Sequence, residues 1–193
     1  MNIFLILFAF ALWGLLHSVL ASRFVKDKFR GLIGRGGMRL YRLGYNLFSV
    51  VSFAPLLYLA ATLEDQPLYR IPPPWNFLFF GFQSLSALLL FVAAFQTDLL
   101  SLTGLRSLFQ EENPDQLVTR GLYAVVRHPL YLFSLTLLWL DPTMTVNSLV
   151  FYIGATAYFI VGAYFEERKL LRDFGEAYAE YKRKTPFLIP MMK

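Results

Sequence analysis

The sequence predicts an all-α fold: a polytopic membrane helical bundle of about five transmembrane helices with a C-terminal cytoplasmic amphipathic helix. Three observations predict it. Hydrophobic residues make up 56% of the chain and charged residues only 16%, too apolar and too charge-poor for a surface that faces water throughout. The apolar residues are gathered into runs of membrane-spanning length. The basic residues gather in alternate polar segments between those runs.

Residues 3–21 carry no charge and, at about 1.5 Å per residue, are long enough to cross a hydrocarbon core of about 30 Å. Met1 and Asn2 precede them without the basic stretch of a signal peptide, so this run reads as a retained span. Residues 43–63 and 75–95 are the second and third spans, the third opened by Pro72, Pro73, Pro74 and the interfacial Trp75. Residues 130–140 are short for a crossing. That helix is expected to begin near Leu122, with Pro129 as a kink or as its first turn. After the Asp141-Pro142 break, residues 143–165 form the fifth span.

Beyond it, Leu170, Leu171, Phe174, Tyr178 and Tyr181 recur at helical spacing, while Arg168, Lys169, Arg172, Asp173, Glu176 and Glu180 fall mostly on other faces. Thr185-Pro186 should end that amphipathic helix.

Residues 22–42 hold seven basic residues and the tail after Phe165 another seven. The segment 96–128 holds Arg106, Arg120 and Arg127, residues 64–74 only Arg70, and the turn at Asp141 none. With five crossings all the basic-rich segments share one side, so the N-terminus is expected outside and the C-terminus in the cytoplasm. The glycines Gly31, Gly34, Gly36 and Gly37 lack the Lys-Ser/Thr of a phosphate-binding loop and read as a flexible basic loop. No repeat or long linker divides the chain, and a single domain over 1–193 is expected.

Some chemistries are excluded directly. Without cysteine there is no disulfide, thiolate nucleophile or cysteine-ligated metal. His17 and His128 are far apart and lack a ligand-like spacing, so no metal site is expected. The net charge of +5 comes from span-flanking blocks rather than an aromatic-studded polar surface, which argues for a lipid bilayer and against nucleic acid as partner.

One polar cluster needs explaining. Arg127, His128 and Tyr131 stand where a polar loop enters an apolar helix, and Glu166-Glu167 abut the end of a long apolar run. Ionisable groups at such boundaries are costly unless they face protein, a partner or a ligand.

The motifs around them carry a resemblance. Leu117-Val118-Thr119-Arg120-Gly121-Leu122-Tyr123, Arg127-His128-Pro129-Leu130-Tyr131, Glu166-Glu167, Phe174-Gly175, Tyr178, Tyr181, Thr185-Pro186 and Ile189-Pro190 resemble, in order, the C-terminal signature of the isoprenylcysteine carboxyl methyltransferase and phospholipid methyltransferase superfamily. The match covers residues 116–190. Leu15-Leu16-His17-Ser18, Leu20-Ala21-Ser22 and Tyr41-Arg42-Leu43-Gly44-Tyr45-Asn46 are similar to the amino-terminal part of its NnrU-like and methanethiol S-methyltransferase branch.

The resemblance implies an integral membrane methyltransferase that uses S-adenosyl-L-methionine, with the cofactor part at 116–190. It implies that Val118, Gly121, Tyr123, Arg127, His128 and Tyr131 enclose the cofactor, with Arg127 or His128 answering its carboxylate. Glu166 or Glu167 would answer its ammonium or ribose hydroxyls, and Tyr178 and Tyr181 would close the pocket. His128, Glu167 and Arg127 are the expected catalytic residues. Methyl transfer from a sulfonium needs alignment and exclusion of water, and a base only for a protonated acceptor such as a thiol.

Enzymes acting on prenylcysteine carry an arginine one turn before the glutamates, where Gly162 stands here, and Phe187 replaces another arginine. A small or lipophilic acceptor, such as a thiol, is therefore expected. Three alternatives stay open: a prenylcysteine carboxyl methyltransferase, an NADPH-dependent membrane reductase sharing the Arg-His-Pro-x-Tyr segment, and a non-enzymatic NnrU-like membrane protein.

Overall fold

The computed structural model describes residues 2–97, 103, 105 and 116–191. Arg106 and Lys193, which enter the basic count, lie outside the described residues, as do the side chains of Arg35 and Arg39. The chain forms two compact units, one from the described residues of 1–66, 98–114 and 146–154, the other from those of 67–97, 115–145 and 155–193.

In the first unit, α1 (Asn2–Ala21) packs against α2 (Arg23–Thr62). Their cross-links run antiparallel. Trp13 Nε1 donates to the Ser49 carbonyl at 3.4 Å, the Tyr45 hydroxyl meets His17 Nε2 at 2.6 Å, and the Tyr41 hydroxyl donates to the Leu20 carbonyl at 2.6 Å. Ile6, Phe10, Leu56 and Phe151 are buried here. Phe4 and Leu15 stay 74% and 62% exposed, a lipid-facing surface rather than a wetted one.

The glycine stretch 31–37, expected as a flexible basic loop, lies within a helix instead. Ser22 caps the start of α2, its hydroxyl accepting from the Val25 amide at 3.4 Å. The helix breaks at Gly34 (φ 66°, ψ −175°), a conformation open to glycine and strained for other residues. Glycine density there signals a kink within a helix, and the span proper is Leu40–Thr62.

The second unit holds two short strands that no periodicity announced. β1 (Pro67–Arg70) pairs antiparallel with β2 (Thr143–Thr145), Tyr69 opposite Met144 and Arg70 opposite Thr143. Residues 143–145 therefore leave the expected fifth span. α3 (Trp75–Gln96) runs antiparallel to α4 (Leu122–Val125) and α5 (Pro129–Trp139). Gln83 Nε2 donates to the Leu137 carbonyl at 2.9 Å, and the Leu122 amide to Gln96 Oε1 at 2.8 Å. Because β1 precedes α3 and β2 follows α5, the strand pairing requires that the broken α4–α5 pair retrace the height of α3. The short fourth helix is thus built in two pieces, with Pro129 in the first turn of the second.

α6 (Val146–Phe174) continues well past Phe165. The expected amphipathic helix is accordingly split. Its first half extends α6, Gly175 (φ 55°) turns the chain, and α7 (Glu176–Lys184) forms the second half, ending at Thr185 as the sequence indicated. Among the described residues, four helices are long and apolar enough to cross a membrane, and Pro129–Trp139 is a shorter apolar one. The protein is a multi-pass membrane helical bundle.

Candidate functional site

The second unit gathers the polar cluster. Pro129 at the start of α5 disfavours helical backbone at the residue before it, and His128 leaves the helical region at φ −124°, ψ 63°. That turn aims Arg127 and His128 at α6, and the Arg127 amide donates to the Pro186 carbonyl at 2.9 Å. Glu166 and Glu167, adjacent on a helix, point about 100° apart.

Glu167 is the buried one. Its Oε1 accepts from Arg127 Nε at 2.6 Å, and its Oε2 meets Lys182 Nζ at 2.6 Å. Arg127 Nη1 also donates to the Lys182 carbonyl at 3.1 Å and the Thr185 carbonyl at 2.5 Å. These carbonyls belong to the C-terminal end of α7, where orphaned backbone acceptors favour a cation. Arg127, Glu167 and Lys182 therefore form a clasp joining the 126–128 turn, α6 and α7. Phe187 lies over the guanidinium, its ring centroid 5.5 Å from Arg127 Cζ, and packs edge-on against His128.

Glu166 faces elsewhere, its side chain 44% accessible against 9% for Glu167. Its Oε2 accepts from the Tyr131 hydroxyl at 2.8 Å. His128, stacked on Tyr131, sits between the two acids: Nδ1 is 3.6 Å from Glu166 Oε2 and Nε2 is 3.5 Å from Glu167 Oε1. The second contact is ionic in distance but completes no hydrogen bond, leaving Nε2 a buried, unsatisfied polar atom.

Burial opposes a charge on His128, yet contacts with Glu166 and then Glu167 outweigh it, so its pKa is raised. The folded state then holds the proton more tightly than the unfolded one. Its stabilisation is full below the ordinary histidine value, about 6.5, and is lost as pH rises through the folded value. The expected result is a melting temperature that falls as pH is taken from about 6 to about 9, with His128→Gln flattening that fall.

The other expected site residues fall around this cluster. Tyr178 is 1% exposed, its hydroxyl also without a hydrogen-bond partner; burial, then the charge of Glu167, raises its pKa. The Tyr181 hydroxyl donates to the Tyr123 carbonyl at 2.6 Å, tying α7 to α4, and burial pushes it up to about 12. Val118 is half-buried in the irregular stretch before Gly121. Gly121 (φ 65°) does permit a close approach, but the approaching group is the Gln96 carboxamide, 2.5 Å from where a Cβ would stand. Gly121→Ala is therefore expected to destabilise the protein by about 1–3 kcal/mol through the left-handed backbone alone, read as a lower melting temperature.

Sequence reasoning missed Lys182 and Gln96 as site residues, and placed Thr185 only as a helix end and a signature residue. A buried carboxylate beside one arginine was a hint that a second cation was needed, but nothing in the spacing named Lys182.

The donor set can be tested against a methyl-donating sulfonium compound. Two buried polar atoms without partners, an open carboxylate, an imidazole between two acids and two buried tyrosines suit a ligand bearing cationic and hydroxyl groups. In these respects the residues fit. Two guanidinium nitrogens of Arg127 are committed to protein groups.

A family model described as "NnrU protein" matches residues 5–192. The chain is 31% identical over 194 residues to Methanethiol S-methyltransferase 2 of Bradyrhizobium diazoefficiens, covering 94% of this chain and 71% of that protein. It is 34% identical over 130 residues to the methanethiol S-methyltransferase of Crocosphaera subtropica, covering 61% of this chain and 51% of that protein. Protein-S-isoprenylcysteine O-methyltransferase B of Arabidopsis thaliana is 31% identical over 97 residues, 48% of each chain. No solved structure is significantly similar.

Proposed function

This chain is a member of the NnrU protein family and a multi-pass membrane methyltransferase, and on that premise we propose that it moves a methyl group from S-adenosylmethionine to a small or lipophilic thiol. The observation that carries the proposal is the His128–Tyr131–Glu166 face: an acid open to ligand beside an imidazole held between two carboxylates.

When bound, S-adenosylmethionine supplies an electrophilic methyl on a sulfonium. Tyr131 and Tyr178 offer aromatic and phenolic groups toward that cation. His128, whose proton its two acids hold more tightly, answers the donor's carboxylate in its protonated form and lowers the energy of a nearby thiolate. Glu166 takes the thiol proton, its carboxylate oriented by the Tyr131 hydroxyl. The Arg127–Glu167–Lys182 clasp holds α7 and its tyrosines over the site, which excludes water.

The acceptor assignment is supported by Gly162. No basic residue occurs from Asp141 to Phe165, so the arginine expected for gripping a prenylcysteine carboxylate is missing. A thiol needs no such grip. For orientation, the basic stretch 22–42 and the tail lie on one side when five crossings are counted, which supports an outside N-terminus and a cytoplasmic C-terminus.

The test uses purified protein. S-adenosylhomocysteine is expected to raise its melting temperature and NADPH to leave it unchanged, and radiolabelled methyl donor should label a small thiol in preference to a prenylcysteine analogue. A shift with NADPH alone would favour the reductase reading, and no shift with either would favour the non-enzymatic one.

A further inference from the structure

The segment 23–33 ahead of the Gly34 break lies outside the site described above. It hangs from one end of the antiparallel α1–α2 pair, since the rung nearest to it, Tyr41 to Leu20, is at the end where α1 stops at Ala21. Ala21 ends one span and Leu40 begins the next, so the segment sits at a membrane surface. At about 1.5 Å per residue it is an arm of about 16 Å.

At 100° per residue the arm is two-faced. Lys26, Arg30, Arg23 and Asp27 share one side; Phe24, Leu32, Val25, Phe29 and Ile33 fill the opposite arc, with Lys28 standing between Phe24 and Leu32. Phe29 packs on Tyr41, ring centroids 5.3 Å apart. Phe24 and Leu32 remain 77% and 74% exposed. Asp27 and Arg30 approach only to 3.9 Å, with both side chains mostly accessible. Four basic residues against one acid give the arm a net positive charge.

We propose that this arm lies in the plane of the membrane interface and binds anionic phospholipid headgroups, with Phe24 and Leu32 seated among the acyl chains. Its placement between two spans brings the apolar face to lipid. The charge complements an anionic leaflet, and the lysine stems reach the headgroups while their apolar parts stay in the boundary. The Gly34 break sets the arm apart from the axis of the Leu40–Thr62 span.

The chain has no cysteine, so Leu32→Cys carries a unique spin label. Full-length labelled protein is reconstituted into vesicles of phosphatidylcholine with or without phosphatidylglycerol. With phosphatidylglycerol the label is expected to be more accessible to oxygen than to an aqueous nickel chelate. In native mass spectrometry, each of Lys26→Gln, Lys28→Gln and Arg30→Gln should reduce retained phosphatidylglycerol by about fivefold, leaving phosphatidylcholine unchanged. These positions are not core residues, so the melting temperature should hold. The proposal is overturned if the label is fully accessible to the nickel chelate, if spin–spin broadening shows the face meeting a second copy, or if the variants retain phosphatidylglycerol as the parent does.

Discussion

Glu167→Gln is expected to lower stability by about 3 kcal/mol, the scale of breaking a buried ion pair and leaving its partner uncompensated. Arg127 is 9% accessible and stays held between the glutamine and two carbonyls. Lys182 is 47% accessible and regains water on release, so the loss belongs chiefly to the arginine side. The damage should be local first. With the clasp open, α7 and the 185–190 tail are held by the Tyr181–Tyr123 bond and the Arg127–Pro186 backbone bond. Limited proteolysis should therefore cut the tail well before the spans unfold. Lys182→Met, made at the half-exposed end, should cost below about 1 kcal/mol. A Glu167→Gln protein that melts and resists protease like the parent would refute the clasp.

Glu166→Gln is expected to act chiefly on turnover: to cost less stability than Glu167→Gln, through the lost His128 contact, and to lower the rate constant for thiol methylation by about a hundredfold or more, the usual scale for removing a general base. The amide keeps the size of the acid and still accepts from Tyr131, so packing survives. The loss should fall on kcat rather than on the KM for the methyl donor. Raising the pH should restore part of the rate, because a thiol already ionised in solution no longer needs the base. If the rate were unchanged, the proton would be going elsewhere and Glu166 would have only a supporting role. The two neighbouring acids thus separate, one read by stability and the other by turnover.

The helical membrane architecture was legible because its causes are local. Charge-free runs, Pro72 to Pro74 before α3, and Pro129 at the head of α5 mark their helices through sterics and solvation at those residues alone. The resemblance likewise brought Arg127, His128, Tyr131, Glu166 and Glu167 forward together, and they do meet in the second unit.

What stayed hidden is nonlocal. The β1–β2 pairing joins residues more than seventy positions apart across strands of four and three residues, too short to show a period. The arm at 23–33 was obscured because its charges and the glycines from Gly31 onward read as loop, although Ser22 was a recognisable cap. Which glutamate faces inward depends on how α6 is rotated by its neighbours, and packing rather than local propensity sets that angle. Lys182 reaches Glu167 only because Gly175 turns the chain back.

The face built from His128, Tyr131 and Glu166 is tested most directly by ultraviolet crosslinking of radiolabelled S-adenosylmethionine to the purified protein, with the labelled peptide mapped. The label should fall on peptides containing Tyr131 or Tyr178, and unlabelled S-adenosylhomocysteine should compete it away. Competed label confined to the α1–α2 peptides would contradict the account.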